Sequence, residues 1–378
     1  MAIERLFQLM KDKKASDMFL AAASPIHIKI SGHVLPINQQ KMDDITIRTL
    51  LSEVVSQDQM EELDVRNELN IGIPVPGLGS FRLSAFRQRG SISAVFRYIP
   101  SEIPKLSSLN VPPILADIIM ERRGLVLVVG ATGSGKSTTI AAMLDHRNAT
   151  RSGHILTLED PIEFLFTNKK SIVNQREIGL DADNLQIALK NALRQAPDCI
   201  LIGEIRDKDT MGAALAYAQS GHLVVATLHA NNSYHALNRI ISFYPLENRP
   251  ALLSDLAATV KAVISQRLVQ TVDQTRRAAV EVLINSRHIA ELIEEGEIGQ
   301  IKEALEKSMS PGSQTFEQAL LQLIQDGVIT TEEGLANADS ATNLYWLLNN
   351  AESGKKKESE PEPKKDDGPT FTEFTLNV

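Results

Sequence analysis

Residues 130–137 read Gly-Ala-Thr-Gly-Ser-Gly-Lys-Ser, and no other stretch narrows the possible folds as much. The spacing is G-x-x-x-x-G-K-[ST], a loop that wraps phosphate when it joins a strand to a helix. Both neighbours have the required character. Residues 124–129 are almost unbroken apolar, as in a strand buried on both faces. Thr138 to His146 carries Ile140, Leu144 and small alanines, which suits a helix. Gly130, Gly133 and Gly135 let the backbone N–H groups of the loop, with those of Ala131, Thr132 and Ser134, point inward with no Cβ in the way. Lys136 is placed to reach the β/γ-phosphates and the Ser137 hydroxyl to sit on Mg²⁺. Thr138 opens the helix, whose positive dipole end lies under the phosphates.

Composition excludes several alternatives. With 378 residues, two domains are the default, and 43% apolar with 23% charged residues suits a large soluble core. The net charge of −8 argues against a dominant nucleic-acid surface, which needs clustered Lys and Arg. The single cysteine, Cys199, sits in an apolar run and reads as a small buried hydrophobe, in keeping with a reducing cytoplasm. No apolar run approaches the roughly 20 residues of a membrane span, and residues 1–14 are amphipathic and mixed in charge, unlike a signal peptide. Any membrane role is expected to come through partners.

In chain order, Ile3, Leu6, Phe7 and Met10 predict a helix over 3–14. Ile26, Ile28 and Ile30 predict a strand, and one helix is expected over 43–63. Residues 69–98 read as a second β region carrying Arg82, Arg87, Arg89 and Arg97. Arg87 and Arg89 suit a solvated basic face as well as a site. Arg82 and Arg97 are candidates to reach a nucleotide phosphate across a domain or subunit boundary, where an arginine stabilises phosphoryl transfer. Residues 1–98 thus form a small α+β domain. Pro100, Pro104, Pro112 and Pro113 mark a linker over 99–113, and the second domain spans 114–350.

The second domain carries acids at predicted strand ends, where ligands sit in a parallel sheet. After His154–Leu158 come Glu159, Asp160 and Glu163; Glu163 is the candidate to orient or deprotonate a water. After Cys199–Gly203 comes Glu204, an acid placed to hold the hydration shell of Mg²⁺. Arg206 and Asp207 are expected to pair with each other. The strand over 223–227 is bracketed by His222, kept as a nucleotide contact, and His229, a candidate γ-phosphate sensor. Residues 233–268 are expected to be helical with a break at Tyr244-Pro245, followed by a strand pair over 268–272 and 278–284. Helical stretches are expected over 288–307, 314–326 and 331–348, with Trp346, the lone tryptophan, packed. The stretch 351–378 is expected to be a disordered charged tail whose Phe371, Phe374 and Leu376 suit docking on a partner or on the same chain.

Together these motifs resemble the secretion ATPases of type II secretion and type IV pili. The agreement lies in the loop at 130–137, the LEDPIEF box at 158–164, the ILIGEIRD segment at 200–207 and the histidine box at 221–232. The arginine-bearing segment at 81–100 adds to it. Within that superfamily the chain looks like the retraction branch, the PilT/PilU family. Residues 284–293, the loop 178–181 and the charged tail depart from the PilT pattern toward the accessory PilU type. The resemblance implies a RecA-like P-loop domain preceded by a PAS-like α+β domain, assembled as a hexameric ring. It implies a cytoplasmic ATPase at the inner face of the inner membrane, with ATP and Mg²⁺. Ser137, Glu204 and Glu159 would hold the metal, and Lys136, Glu163, Glu204, His229, Arg82 and Arg97 would act in catalysis. Implied partners are a PilT-like ATPase and an inner-membrane PilC-like platform protein, with no nucleic acid. The alternatives are a secretion or pilus-extension ATPase, or a nucleotide-binding scaffold for a PilT ring.

Overall fold

The computed structural model describes residues 2–30, 32–75, 77–99 and 102–358, the last eight by backbone alone. It opens with α1 (Ala2–Asp12), β1 (Asp17–Ala21), β2 (His27–Ile30), β3 (His33–Pro36), α2 (Asp44–Ser52), α3 (Gln57–Arg66), β4 (Glu68–Val75), β5 (Gly79–Gln88) and β6 (Ser91–Ile99). The six strands form one sheet in the order β3-β2-β1-β6-β5-β4, every pairing antiparallel. Alternation along β4 turns Leu69, Ile71 and Ile73 inward. Phe7 of α1 stacks on Phe81 with ring centroids 3.8 Å apart and meets Phe96 edge-on.

The helix expected over 43–63 is two helices. Ser56 starts α3 with a capping box, its hydroxyl accepting from Gln59 N while the Gln59 side chain bonds back, so a new helix nucleates there. Arg87, ambiguous in the sequence, is structural: with Arg48 it grips Asp64 and ties α2 and β5 to α3. The Arg48 and Arg87 guanidinium groups hold the Asp64 carboxyl down to about 2.

The second sheet is assembled from α4 (Ile114–Ile118), β7 (Gly124–Val129), α5 (Lys136–Thr150), β8 (Gly153–Glu159), β9 (Ser171–Glu177), α6 (Leu185–Ala192), β10 (Cys199–Ile202), α7 (Lys208–Gln219), β11 (Leu223–Leu228), α8 (Ser233–Ser242), α9 (Arg249–Thr259), β12 (Val260–Gln270) and β13 (Arg276–Ile284). Its order is β13-β12-β7-β11-β10-β8-β9, and the pairings from β12 through β9 are parallel. Central strands are buried on both faces. Leu125, Leu127 and Val129 of β7 join the core under α6 to α9, while Val126 and Val128 join the core under α4 and α5. This is a doubly wound α/β sheet, as the strand–loop–helix reading predicts. Cys199 lies wholly inside it, and burial pushes its thiol up to about 11.

Further expectations need correction, among them the single helix over 331–348, which is two helices, Thr331–Asn337 and Ala341–Glu358. Residues 260–268 are strand, not helix: Val260, Val263 and Ile264 are buried, and β-branched residues fit the pleated surface beside β7 better than a helix. The stretch 288–307 is divided into α10 (Arg287–Glu294) and α11 (Ile301–Glu306), because Gly296 turns the chain at φ +79°. Trp346 is not packed but 62% exposed. It lies on α14 (Ala341–Glu358), which follows α12 (Phe316–Gln325) and α13 (Thr331–Asn337). That helix runs past 351, and the rest of the expected tail, 359–378, lies outside the described residues.

Contacts divide the chain into two compact units. One comprises residues 1–268 and 276–315; the other comprises 269–275 and the chain from 316 onward.

Candidate active site

The loop between β7 and α5 crosses the carboxyl edge of the parallel sheet. Gly130 and Gly135 are required there by contact as well as by backbone angle. At Gly130, φ +154°, a Cβ would lie 2.5 Å from the Gln266 carbonyl oxygen. At Gly135, φ +86°, it would lie 2.7 Å from Gln266 Nε2. Gly135 is also the N-cap of α5, and no side chain caps that end. The first amides of a 15-residue helix thus face the loop without a protein side chain, which fits an anion.

Gln266 is a site residue that the sequence reading missed. It is 2% exposed on β12, donates Nε2 to the Ser134 carbonyl at 2.8 Å and accepts from Thr139 Oγ1 at 2.8 Å. One amide thereby locks both the loop and the first turn of α5. The available signal was the Ser265-Gln266 pair directly after the apolar run 262–264, hidden because that run was read as helix. Gln266→Leu is expected to leave two buried polar groups without partners, at about 1–3 kcal/mol each. Urea unfolding would measure the loss; an unchanged midpoint would contradict it.

Lys136 Nζ donates to the carbonyls of Gly130 and Ala131, both at 2.9 Å. Burial pulls its pKa below the ordinary lysine value, while the nearby carboxylates of Glu204 and Glu163 oppose the shift. These groups share a cavity of about 390 Å³ whose walls include Thr132, Lys136, Ser137, Glu163, Glu204 and His229.

Each acid has a different local setting. Glu159, at the end of β8, accepts from Thr157 Oγ1 at 2.6 Å and Gln175 Nε2 at 3.2 Å. Burial raises its pKa. Gln175 Nε2 also donates to the Phe164 carbonyl at 2.8 Å, which ties Glu159 to the turn. Glu159 thus braces the turn that presents Glu163. Glu204 follows β10, and each of its oxygens is engaged: Oε2 by Arg206 Nε at 2.6 Å and Oε1 by His229 Nε2 at 3.3 Å. Thr227 of β11 donates its hydroxyl to the Gly203 carbonyl, and its backbone carbonyl accepts from Ile205 N, pinning this turn. The expected Arg206–Asp207 pair is therefore corrected. Asp207 instead caps α7 by accepting from Thr210 N at 2.8 Å, because a carboxylate at an N-cap satisfies a free helix amide.

Gly133 and Glu159 also line the cavity, whereas Gly130, Ala131, Ser134, Gly135 and Thr138 shape the loop and helix start behind its wall. His222 does not line the cavity. It precedes β11, whose first residue registers with Gly124, so it sits at the sheet edge opposite the loop. Its Nδ1 lies 3.2 Å from the Tyr217 carbonyl and 3.1 Å from Ser220 Oγ, which is a turn-closing role. Arg82 and Arg97 do not line the cavity. They are cross-strand partners on β5 and β6, and Arg97 Nε bonds Asp17 Oδ1 at 2.9 Å. Arg267 Nη2 donates to the Asn231 carbonyl at 3.1 Å, bracing the histidine box from β12. Among the described residues no three His, Cys, Asp or Glu side chains form a metal cage. The carboxylates and hydroxyl here suit a metal that arrives with its own phosphate and water ligands.

Similarity to known proteins agrees with this geometry. The profile of the family Type II/IV secretion system protein matches residues 2–336. The chain is 45% identical over 349 residues to the Type IV pilus ATPase PilU of Pseudomonas aeruginosa, covering 92% of this chain and 91% of that protein. It is 38% identical to the pilus retraction ATPase PilT of the same organism, over 91% of this chain and 100% of that one. The crystal structure of the pilus retraction motor PilT with bound ADP superposes with a TM-score of 0.82 at 37% identity, covering 89% and 97% of the two chains. On its motifs, fold and relatives, the chain belongs to the type II/IV secretion system protein family and, within it, to the PilT/PilU group.

Proposed function

We propose that this chain is an ATP-hydrolysing motor subunit of the type IV pilus that powers or assists retraction and twitching motility, as a PilU-like accessory to a PilT-like ATPase. One observation carries the reading: the phosphate loop, Glu163 and the His229-linked Glu204 open onto the same cavity. The loop amides and the α5 N-terminus bind the phosphates. Lys136 leaves the carbonyls of Gly130 and Ala131 for the β/γ-phosphates. Its half-buried setting strengthens that attraction. Glu163, braced by Glu159, orients the attacking water and takes its proton. Ser137, with Glu204 and Glu159 acting through water, would hold Mg²⁺, which when bound neutralises charge on the phosphates. Arg206 and His229 fix the Glu204 carboxylate, so His229 passes a change at the phosphate end to the histidine box.

In the same reading, residues 1–98 form a PAS-like domain hinged at 99–113 on the RecA-like domain 114–350. Six copies close into a ring, since head-to-tail contacts of one kind close cyclically. Arg82 and Arg97, adjacent on one ladder, approach a nucleotide held elsewhere; Arg97 must exchange Asp17 for phosphate. The ring works at the cytoplasmic face of the inner membrane on a PilC-like platform protein.

Twitching motility tests this reading in strains with and without a PilT-like ATPase, each carrying the wild type or Lys136→Ala. Beside the PilT-like ATPase, motility kept with the wild type and lost with the alanine variant is the expected result; motility of the wild type without that ATPase would show a motor that retracts alone. Equal motility for the two proteins beside the PilT-like ATPase would favour a scaffold that does not turn over ATP.

A further inference from the structure

Two features lie beyond residue 336, where the family match ends. The first is an aromatic pair on α14. Leu344 is fully buried and Leu347 and Leu348 are half-buried, so that side of the helix packs within its unit. Tyr345 and Trp346 face away, 60% and 62% exposed. Adjacent large aromatics directed at solvent are the commonest anchors of a contact. The second feature is sequence. Residues 359–370 hold no large apolar side chain other than proline, and then Phe371, Phe374, Leu376 and Val378 follow within eight positions.

We propose that residues 371–378 fold back and cover Tyr345 and Trp346 of the same chain. Reach permits it. From Trp346 to the end of α14 at Glu358 is about 18 Å of helix. Residues 359–370 span up to roughly 40 Å when extended, so the segment returns with slack. Tethering selects the occupant. A segment on so short a connection is presented at roughly millimolar effective concentration, which a second copy or a separate protein must outcompete. The chemistry also matches: two phenylalanines and two aliphatic side chains meet a tyrosine and a tryptophan, a pairing favoured beyond simple area burial. This inference does not rest on the ATPase reading.

The lone tryptophan reports on the contact directly. In full-length protein, Trp346 should emit at shorter wavelength and resist acrylamide quenching. Deleting 371–378, or making Phe371→Ser with Phe374→Ser, should red-shift the emission and raise the quenching constant several-fold, with unchanged far-ultraviolet circular dichroism. Identical spectra with and without the segment would overturn the proposal. Mixing Trp346→Phe chains that keep the segment with deleted chains that keep Trp346 identifies the donor. Restored protection in the mixture would also overturn it, by showing that the segment reaches another copy.

Discussion

Lys136→Ala is expected to lower kcat/KM for ATP by about 10²–10³-fold, the scale of losing one charged donor to the transferring phosphoryl group. The side chain is already directed at the loop, bonded to the carbonyls of Gly130 and Ala131. Burial lowers its pKa, and only the facing Glu204 and Glu163 carboxylates offset that. The working form is the ammonium, and a lowered pKa means that this charge is lost at a lower pH than for an ordinary lysine. Activity should therefore fall on the alkaline side before free lysine would titrate. Phosphate release measured against pH checks both statements. Turnover of the alanine variant at the wild-type rate would remove Lys136 from the reaction.

Glu163→Gln is the second large effect. The amide keeps the size of the side chain but cannot take a proton, so kcat is expected to drop by about 10²–10⁴-fold. ATP affinity should change little, because the loop, Lys136 and Ser137 are untouched. Binding of a fluorescent nucleotide beside single-turnover phosphate release separates the two quantities. A variant that lost affinity and kept its rate of turnover would make Glu163 a binding residue. The same pair of measurements distinguishes Glu159, whose carboxylate is bonded to Thr157 and to Gln175, and Gln175 also holds the Phe164 carbonyl, so that Glu159 positions the turn.

The sheet and its loop were legible in the sequence because their signals are local. An apolar run, a glycine pattern and an amphipathic helix lie end to end over 124–150. The acids at 159, 163 and 204 were legible for a related reason: parallel strands put their carboxyl ends on one edge, so position in the strand fixes position at the site. Gln266 was not legible. It lies 132 residues from the carbonyl that it holds, and its strand is flanked by helix so that periodicity alone misassigned it. The separation of His222 from His229 was legible, because a strand was read between them: β11 puts the two at opposite edges of the sheet, and of the pair His229 lines the cavity. Arg206 shows the limit of adjacency. It pairs with Glu204 rather than with Asp207, because the helix end had the stronger demand for Asp207. The exposed aromatics on α14 gave no periodic warning, since Leu344, Leu347 and Leu348 satisfy the helical pattern alone.

The central claim is that a triphosphate seats in the loop at 130–137 with its terminal phosphate toward Glu163 and Glu204. A crystal structure with Mg²⁺ and a non-hydrolysable ATP analogue tests it most directly. The account predicts phosphate oxygens against the α5 N-terminus, Lys136 Nζ moved from the Gly130 and Ala131 carbonyls onto the phosphates, and both carboxylates within one water of the terminal phosphate. An analogue bound elsewhere with the loop unaltered, or bound there with both carboxylates turned away, would contradict it.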